Sequence, residues 1–145
     1  MCPLSGFDLA AFLPYQLAVA SARVSRGFAD LYRAEFGISL PEWRVLAHLA
    51  GSEAVSVREI HARVDMDKSK VSRAAARLES QGLIEKRTHP EDRRLVEMRL
   101  TDRGRDLIER IVPVANAYQA RILAELGPDA APFRTALQTL LGDRT

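Results

Sequence analysis

The chain of 145 residues contains a single cysteine, Cys2. No intramolecular disulfide can form, and no cysteine-cluster zinc site can be assembled. Aromatic residues are scarce at 6%. Lysines are scarcer still, three against 18 arginines. No uninterrupted apolar run approaches the ~20 residues needed to span a bilayer. The stretch Met1-Cys2-Pro3-Leu4-Ser5-Gly6-Phe7-Asp8 lacks both the basic n-region and the long apolar h-region of a signal peptide. The expectation is a cytoplasmic protein with no membrane partner. No Gly-rich phosphate loop, nucleophile–base motif or paired-carboxylate constellation stands above background, so neither an enzyme nor a cofactor is expected. The histidines His48, His61 and His89 are scattered without metal-ligand spacing, which leaves no metal site to expect.

What is present is an ordinary globular composition, 47% hydrophobic and 28% charged. The length suits one domain or one compact two-part unit. Such a chain can bury roughly 68–70% of its unfolded surface and needs no covalent staples. The net charge of +2 is unevenly spread. From Arg58 to Arg105 there are 13 basic against 9 acidic residues, while the rest of the chain holds 8 against 10. Arginine forms planar, bidentate contacts with phosphates and guanine edges, and it enters narrow minor grooves. A solvated mixed-charge face would have the same composition, so the bias alone decides nothing.

Apolar residues at Leu13, Leu17, Ala20, Val24, Phe28, Leu31 and Tyr32 recur at helical steps, which predicts a helix within Leu9 to Phe36, stopped by Gly37. Pro14 either opens the regular helix or kinks it, leaving Met1 to Leu13 partly as an arm. Ser39-Leu40-Pro41-Glu42 reads as the start of a second helix whose apolar stripe is Trp43, Leu46, Ala47 and Ala50. Ser56 and Glu59 have capping-box spacing and predict a short third helix with Val57, Ile60 and Val64 inward. Asp65-Met66-Asp67 makes a tight turn, with Asp67 capping a fourth helix from Lys68 to about Gln81. The period then changes. Leu83 to Thr88 and Leu95 to Leu100 read as strands of a β-hairpin around the polar tip His89-Pro90-Glu91-Asp92-Arg93-Arg94. A long helix follows from Thr101 through Leu126, bent by Pro113 and stopped at Gly127-Pro128. A last helix runs from about Asp129 to Leu141.

Two helices joined by a three-residue turn and followed at once by a hairpin spell a winged helix-turn-helix. The fold class is mainly α with a small β-hairpin wing, flanked by helices. With Val71, Ala75 and Leu78 facing the core, the opposite surface of the fourth helix carries Ser69, Ser72, Arg73 and Arg77. Short hydroxyls and long cations suit an element lying in a DNA major groove. From Leu40 to about Ile111 the chain resembles the MarR family of bacterial transcriptional regulators. The residues that carry the resemblance are Leu40-Pro41-Glu42-Trp43-Arg44-Val45-Leu46, Asp67-Lys68-Ser69-Lys70-Val71-Ser72-Arg73 and Leu78-Glu79-Ser80-Gln81-Gly82-Leu83-Ile84. The sharpest are Asp92-Arg93-Arg94 and Leu100-Thr101-Asp102-Arg103-Gly104, which match the family's wing signature.

The resemblance implies a dimerisation region of residues 1–38 and 105–145 around a DNA-binding region of residues 39–104. It implies a homodimer on a pseudo-palindromic, double-stranded DNA operator, acting most commonly as a repressor. Ser69, Ser72 and Arg73 would face bases or phosphates, while Lys68, Lys70 and Arg77 would mostly contact the backbone. Arg94 would enter the minor groove, oriented by Asp92, with Arg93 on a phosphate. A small, often aromatic, anion would release the protein from DNA, bound among residues such as Tyr15, Trp43 and Arg44. For these three, structural packing is the alternative. A helical adaptor that kept the fold but lost sequence-specific DNA binding is the other reading of the whole chain. The basic fourth helix and the wing arginine argue against it.

Overall fold

The computed structural model describes residues 6–51, 55–56, 59–60, 66–88, 90–92 and 96–142. Expectations that rest on Cys2, Val57, His61, Val64, Asp65, His89, Arg93 and Arg94 lie outside these residues. The chain forms two units, Met1–Ile111 and Val112–Thr145.

The first helix, α1 (Leu13–Phe36), begins at the first residue of the apolar period and leaves Leu9 outside it. Asp8 accepts a hydrogen bond from the Ala10 amide and holds Leu9–Ala11 in a single 3-10 turn, so the preceding residues do not join the helix. Pro14 then sits in the first turn of α1, where its missing N–H would have had no helical partner anyway. It opens the helix. The second helix, α2 (Leu40–Ala50), starts at Ser39, whose hydroxyl oxygen caps the Glu42 amide. Pro41 lies in its first turn. Glu59 and Ile60 are helical, and Ile60 is buried.

The helix α3 (Lys68–Ser80) ends in a Schellman motif. Gly82 adopts a left-handed φ of 75° and donates its N–H to Glu79 O, while the Leu83 amide reaches back to Leu78 O at 3.0 Å. Leu78 and Leu83 are both buried, supplying the apolar contact that accompanies this cap. The chain thereby leaves α3 directly into β2 (Ile84–Thr88), which pairs antiparallel with β3 (Val96–Leu100) in the register Ile84↔Leu100 to Thr88↔Val96. The expected hairpin is therefore present. A third, two-residue strand, β1 (Val55–Ser56), pairs with the other edge of β3, so the sheet order is β1-β3-β2. A two-residue strand has too short an alternation to register as a period, and it was not expected.

The long helix α4 (Asp102–Leu126) starts on Thr101. The Thr101 hydroxyl accepts the Gly104 amide at 3.1 Å and donates to the Gly82 carbonyl at 2.6 Å, and the Thr101 amide donates to Leu83 O. One residue thus caps α4 and ties it to the end of α3. A Cβ at Gly104 would overlap the Leu83 carbonyl oxygen and crowd the Leu100 side chain at 3.2 Å. Only glycine admits this approach of helix to strand.

The core lies in the first unit. Val45, Leu46 and Leu49 of α2 pack with Val71, Ala74, Ala75 and Leu78 of α3. Ile84, Met98 and Leu100 of the sheet, Leu107, Ile108 and Ile111 of α4, and Tyr32, Ile38, Ile60 and Leu83 complete the cluster. The predicted inward face of α3 is the buried one. The second unit holds the remainder of α4, a 3-10 turn at Gly127–Asp129 and the last helix, α5 (Ala130–Leu141). Pro113 lies inside α4 and removes one helical hydrogen bond. Among the described residues of this second unit none is buried, and Phe133, Leu140 and Leu141 are exposed. No described helix is long and apolar enough to cross a membrane.

Gly104→Ala should therefore destabilise the first unit despite alanine's better helix propensity. Overpacking against backbone costs about 1–3 kcal/mol or more, which lowers the melting temperature by roughly 3–10 °C. Calorimetry on the two proteins measures this. An unchanged or raised melting temperature would contradict the packing at this junction.

Candidate nucleic-acid interface

The outward surface of α3 is built by its N-cap. Asp67 holds extended backbone geometry, and its Oδ1 accepts the Lys70 amide at 2.8 Å and the Ser69 hydroxyl at 2.7 Å. These two bonds, the Ser69 hydroxyl first, hold the Asp67 carboxyl below its ordinary value of 3.8, with Lys70 and Arg73 adding charge attraction. The cap starts the helix in the phase that buries Val71, Ala74, Ala75 and Leu78. Lys68, Ser69, Lys70, Ser72, Arg73 and Arg77 are consequently all exposed. Ser69 is already engaged with its own cap, so its hydroxyl sits pinned near the helix start.

Arg77 is anchored in a second way: its Nε stands 3.6 Å from Glu42 Oε1 of α2. Lys86 of β2 stands 3.9 Å from Glu79, which ties the sheet to α3 at the surface. On the outer face of the hairpin Glu85 lies between Arg87 at 3.8 Å and Arg99 at 3.9 Å. Asp92 is half-buried near the hairpin tip, and the arginines that follow it lie outside the described residues. Exposed cations at α3 and along the hairpin thus belong to elements fixed to one another by a shared core. Rigid placement is what reading a duplex demands, since phosphate contacts fix register before bases are compared.

The model of the MarR family matches residues 36–95, the stretch from the end of α1 to the hairpin. A solved MarR family transcriptional regulator from Silicibacter pomeroyi DSS-3 is 34% identical, superposes with a TM-score of 0.81, and is covered over 96% of its length by 93% of this chain. The chain belongs to the MarR family. Among other relatives, this family member is 31% identical over 93 residues to the HTH-type transcriptional regulator YdgJ of Bacillus subtilis (strain 168). That match takes 64% of this chain and spans 57% of YdgJ. The solved transcriptional repressor CouR, bound to a 23-mer DNA duplex, is 28% identical with a TM-score of 0.78, over 97% of this chain and 96% of CouR.

In this MarR family member the three residues considered for an effector are not brought together within the chain. Tyr15 lies in the first turn of α1, exposed, beside a shallow groove with Val19, Arg23 and Val24. Trp43 is half-buried on α2 and packs on Phe28 and Tyr32 of α1, with ring centroids at 5.4 Å and 6.2 Å. The distance along α1 from Tyr15 to Tyr32 is roughly 25 Å at 1.5 Å per residue. Trp43 is therefore a member of an aromatic cluster at the α1–α2 contact. Arg44 is half-buried, and its charge is felt by Tyr32. Tyr32 itself is fully buried, and its hydroxyl has no hydrogen-bond partner. Burial pushes this phenol up to about 12, against the opposing pull of Arg44 and Arg33.

Sequence reasoning missed two contributors to the site. Glu42 was read only as an acidic residue in the first turn, although Ser39-x-x-Glu42 has the capping-box spacing that could have singled it out. The Lys86–Glu79 pair joins two elements and leaves no trace in local spacing. Among the described residues no group of three His, Cys, Asp or Glu side chains could hold a metal ion.

Two pH dependences follow. The Asp67 bonds favour the carboxylate, so its folded pKa lies below the unfolded one. The stabilisation is present above the ordinary value of 3.8 and is lost as pH falls through the lowered folded value. Urea denaturation of Asp67→Asn beside the parent should give a constant difference between about pH 5 and 7 that shrinks on acidification below that window. A difference that persists unchanged in acid would refute the role of the charge. Tyr32 behaves oppositely. Its raised pKa means that stability is complete below its ordinary 10.0 and is lost as pH rises towards 12, a change of about 2–3 kcal/mol. Tyr32→Phe removes an unpaired buried hydroxyl, so stability at neutral pH should hold or rise and the alkaline loss should weaken. Clear destabilisation at neutral pH would mean that the hydroxyl is paired in solution.

Proposed function

We propose that this MarR family protein is a ligand-responsive transcriptional repressor that binds a pseudo-palindromic operator as a homodimer. Residues 39–104 form the DNA-binding region, and residues 1–38 with 105–145 form the dimerisation region. The observation that carries the reading is the exposed face of α3, where Ser69, Ser72, Arg73 and Arg77 stand on a helix whose other side is fixed in the core. In this reading α3 enters the major groove. Ser69, Ser72 and Arg73 meet bases or phosphates, and Lys68, Lys70 and Arg77 contact the backbone. Arg94 enters the minor groove with Asp92 orienting it, and Arg93 meets a phosphate. The DNA-bound structure of CouR supports double-stranded DNA as the partner.

Dimerisation answers a physical problem in the second unit. Its described residues include no buried side chain, yet Phe133, Leu140 and Leu141 present an apolar face to water. A second copy packed isologously on that face removes it from solvent. The pair of α3 helices would then sit about one helical turn of DNA apart. A small anion that favours one arrangement of the dimer would shift the operator-competent population. We assign Trp43 and Arg44, neighbours on α2, to that effector; Tyr15 lies roughly 25 Å along α1 from Tyr32 and does not join them within one chain.

Fluorescence anisotropy with the DNA flanking the protein's own gene, across a salt series, tests the reading. Site-selective affinity on the order of 10⁻⁸–10⁻¹¹ M with a steep salt slope is expected. Arg73→Ala should weaken it by at least a few-fold, and sedimentation should report a dimer. Weak, sequence-indifferent binding that persists with genomic fragments selected by the protein would overturn it, as would a monomer at micromolar concentration.

A further inference from the structure

Glu42 is the one buried charged residue among the described residues, with 1% of its surface exposed. Its Oε1 accepts the Ser39 hydroxyl at 2.9 Å and faces Arg77 Nε at 3.6 Å. Its Oε2 is buried without a hydrogen-bond partner. A helix cap alone does not call for this. An exposed glutamate at the same position would cap α2 equally well, and an apolar side chain would cost less to bury. What burial achieves is a carboxylate with a fixed position. It is held at the start of α2 by Ser39 and directed across at α3.

The side chain it confronts lies on the outward stripe of α3. Ser69, Arg73 and Arg77 follow one another at steps of four, so they share a face. Arg77 remains 68% exposed although paired. The closest approach is at Nε, and with most of the side chain in solvent the guanidinium keeps donors for a second anion. An arginine restrained by a fixed carboxylate loses less rotamer freedom when it meets an anion. The 3.6 Å separation is an ion pair rather than a short hydrogen bond.

We propose that Glu42 is a positioning residue for DNA recognition: from its buried place on α2 it orients Arg77 so that the Nη groups meet a backbone phosphate. The proposal rests on the DNA-binding reading above. It assigns to α2 a share in operator affinity although Glu42 itself is out of reach of DNA.

A double-mutant cycle with Glu42→Gln, Arg77→Ala and the pair tests it, using a duplex that the unaltered protein selects from a randomised pool. Glutamine keeps an acceptor for Ser39, so the cap survives. Arg77→Ala should weaken binding about 5–20-fold and reduce the salt slope by about one. Glu42→Gln should weaken binding about 3–10-fold in the parent but less than about two-fold beside Arg77→Ala. An unchanged affinity, or an equal loss in both backgrounds, would overturn the proposal by making Glu42 a purely structural residue. Failure of the parent to select any duplex would instead defeat the DNA-binding reading, and the proposal with it.

A second measurement does not depend on the fold of the Glu42 variant. In the unaltered, ¹⁵N-labelled protein the Arg77 Nε–H resonance, assigned by its loss in Arg77→Lys, should exchange with water more slowly than that of Arg73. Equal exchange at the two arginines would also overturn it.

Discussion

The approach of Gly104 to the Leu83 carbonyl sets the geometry on which the putting together of wing, helix and linker rests. The carbonyl occupies the space where any other residue would carry its side chain. Thr101 exploits that closeness: its amide donates to Leu83 O and its hydroxyl to Gly82 O, while the same hydroxyl caps α4. The end of α3, the start of β2 and the start of α4 are therefore a single hydrogen-bonded knot. Reorienting the start of α4 against the end of α3 means breaking these part-buried bonds.

The same knot explains why the resemblance is carried by such short pieces of sequence. Leu100-Thr101-Asp102-Arg103-Gly104 contains the cap, the tether and the one residue that permits the approach, each with a contact in the structure. Asp67 is equally readable because a cap acts on the next three residues, and its bonds to Ser69 and Lys70 stay within that span. The inward face of α3 was legible from period alone. Glu42 and Lys86 were not, because their partners Arg77 and Glu79 belong to other elements and local spacing is silent on such pairs. The beginning of α1 was open between two readings, and Pro14 in its first turn settles it: Asp8 captures the Ala10 amide and holds Leu9–Ala11 in a separate turn ahead of the helix. For Trp43 the sequence favoured packing over a ligand wall, and its ring contacts with Phe28 and Tyr32 come from another element that local spacing does not show.

The first unit has a complete core, and the second has none among its described residues. That contrast bears on affinity. One α3 helix is 13 residues long and offers a handful of outward cations and hydroxyls, few contacts for a site that must be found among many competitors. Joining two such faces turns the second binding event into an intramolecular one and raises affinity without a new type of contact. In the proposed dimer the apolar face of α5 would make that link, so the least self-sufficient part of the chain controls how firmly the most self-sufficient part binds.

Within each half-site of the proposed operator the scarcity of contacts makes their orientation matter. Eighteen arginines against three lysines give the protein planar donors instead of point charges. A planar donor is effective only when its plane is set, and a carboxylate is the natural means of setting it. Asp92 near the hairpin tip was assigned that task by resemblance, and Glu42 beneath α3 offers the same chemistry from the opposite side. The difference lies in exposure. Asp92 is half-buried near a tip, whereas Glu42 is sealed in the core, where among the described residues its desolvation is met by the Ser39 hydroxyl and the Arg77 charge. A buried carboxylate so thinly compensated weakens the fold unless it contributes something else, and what it faces is the outward row of α3.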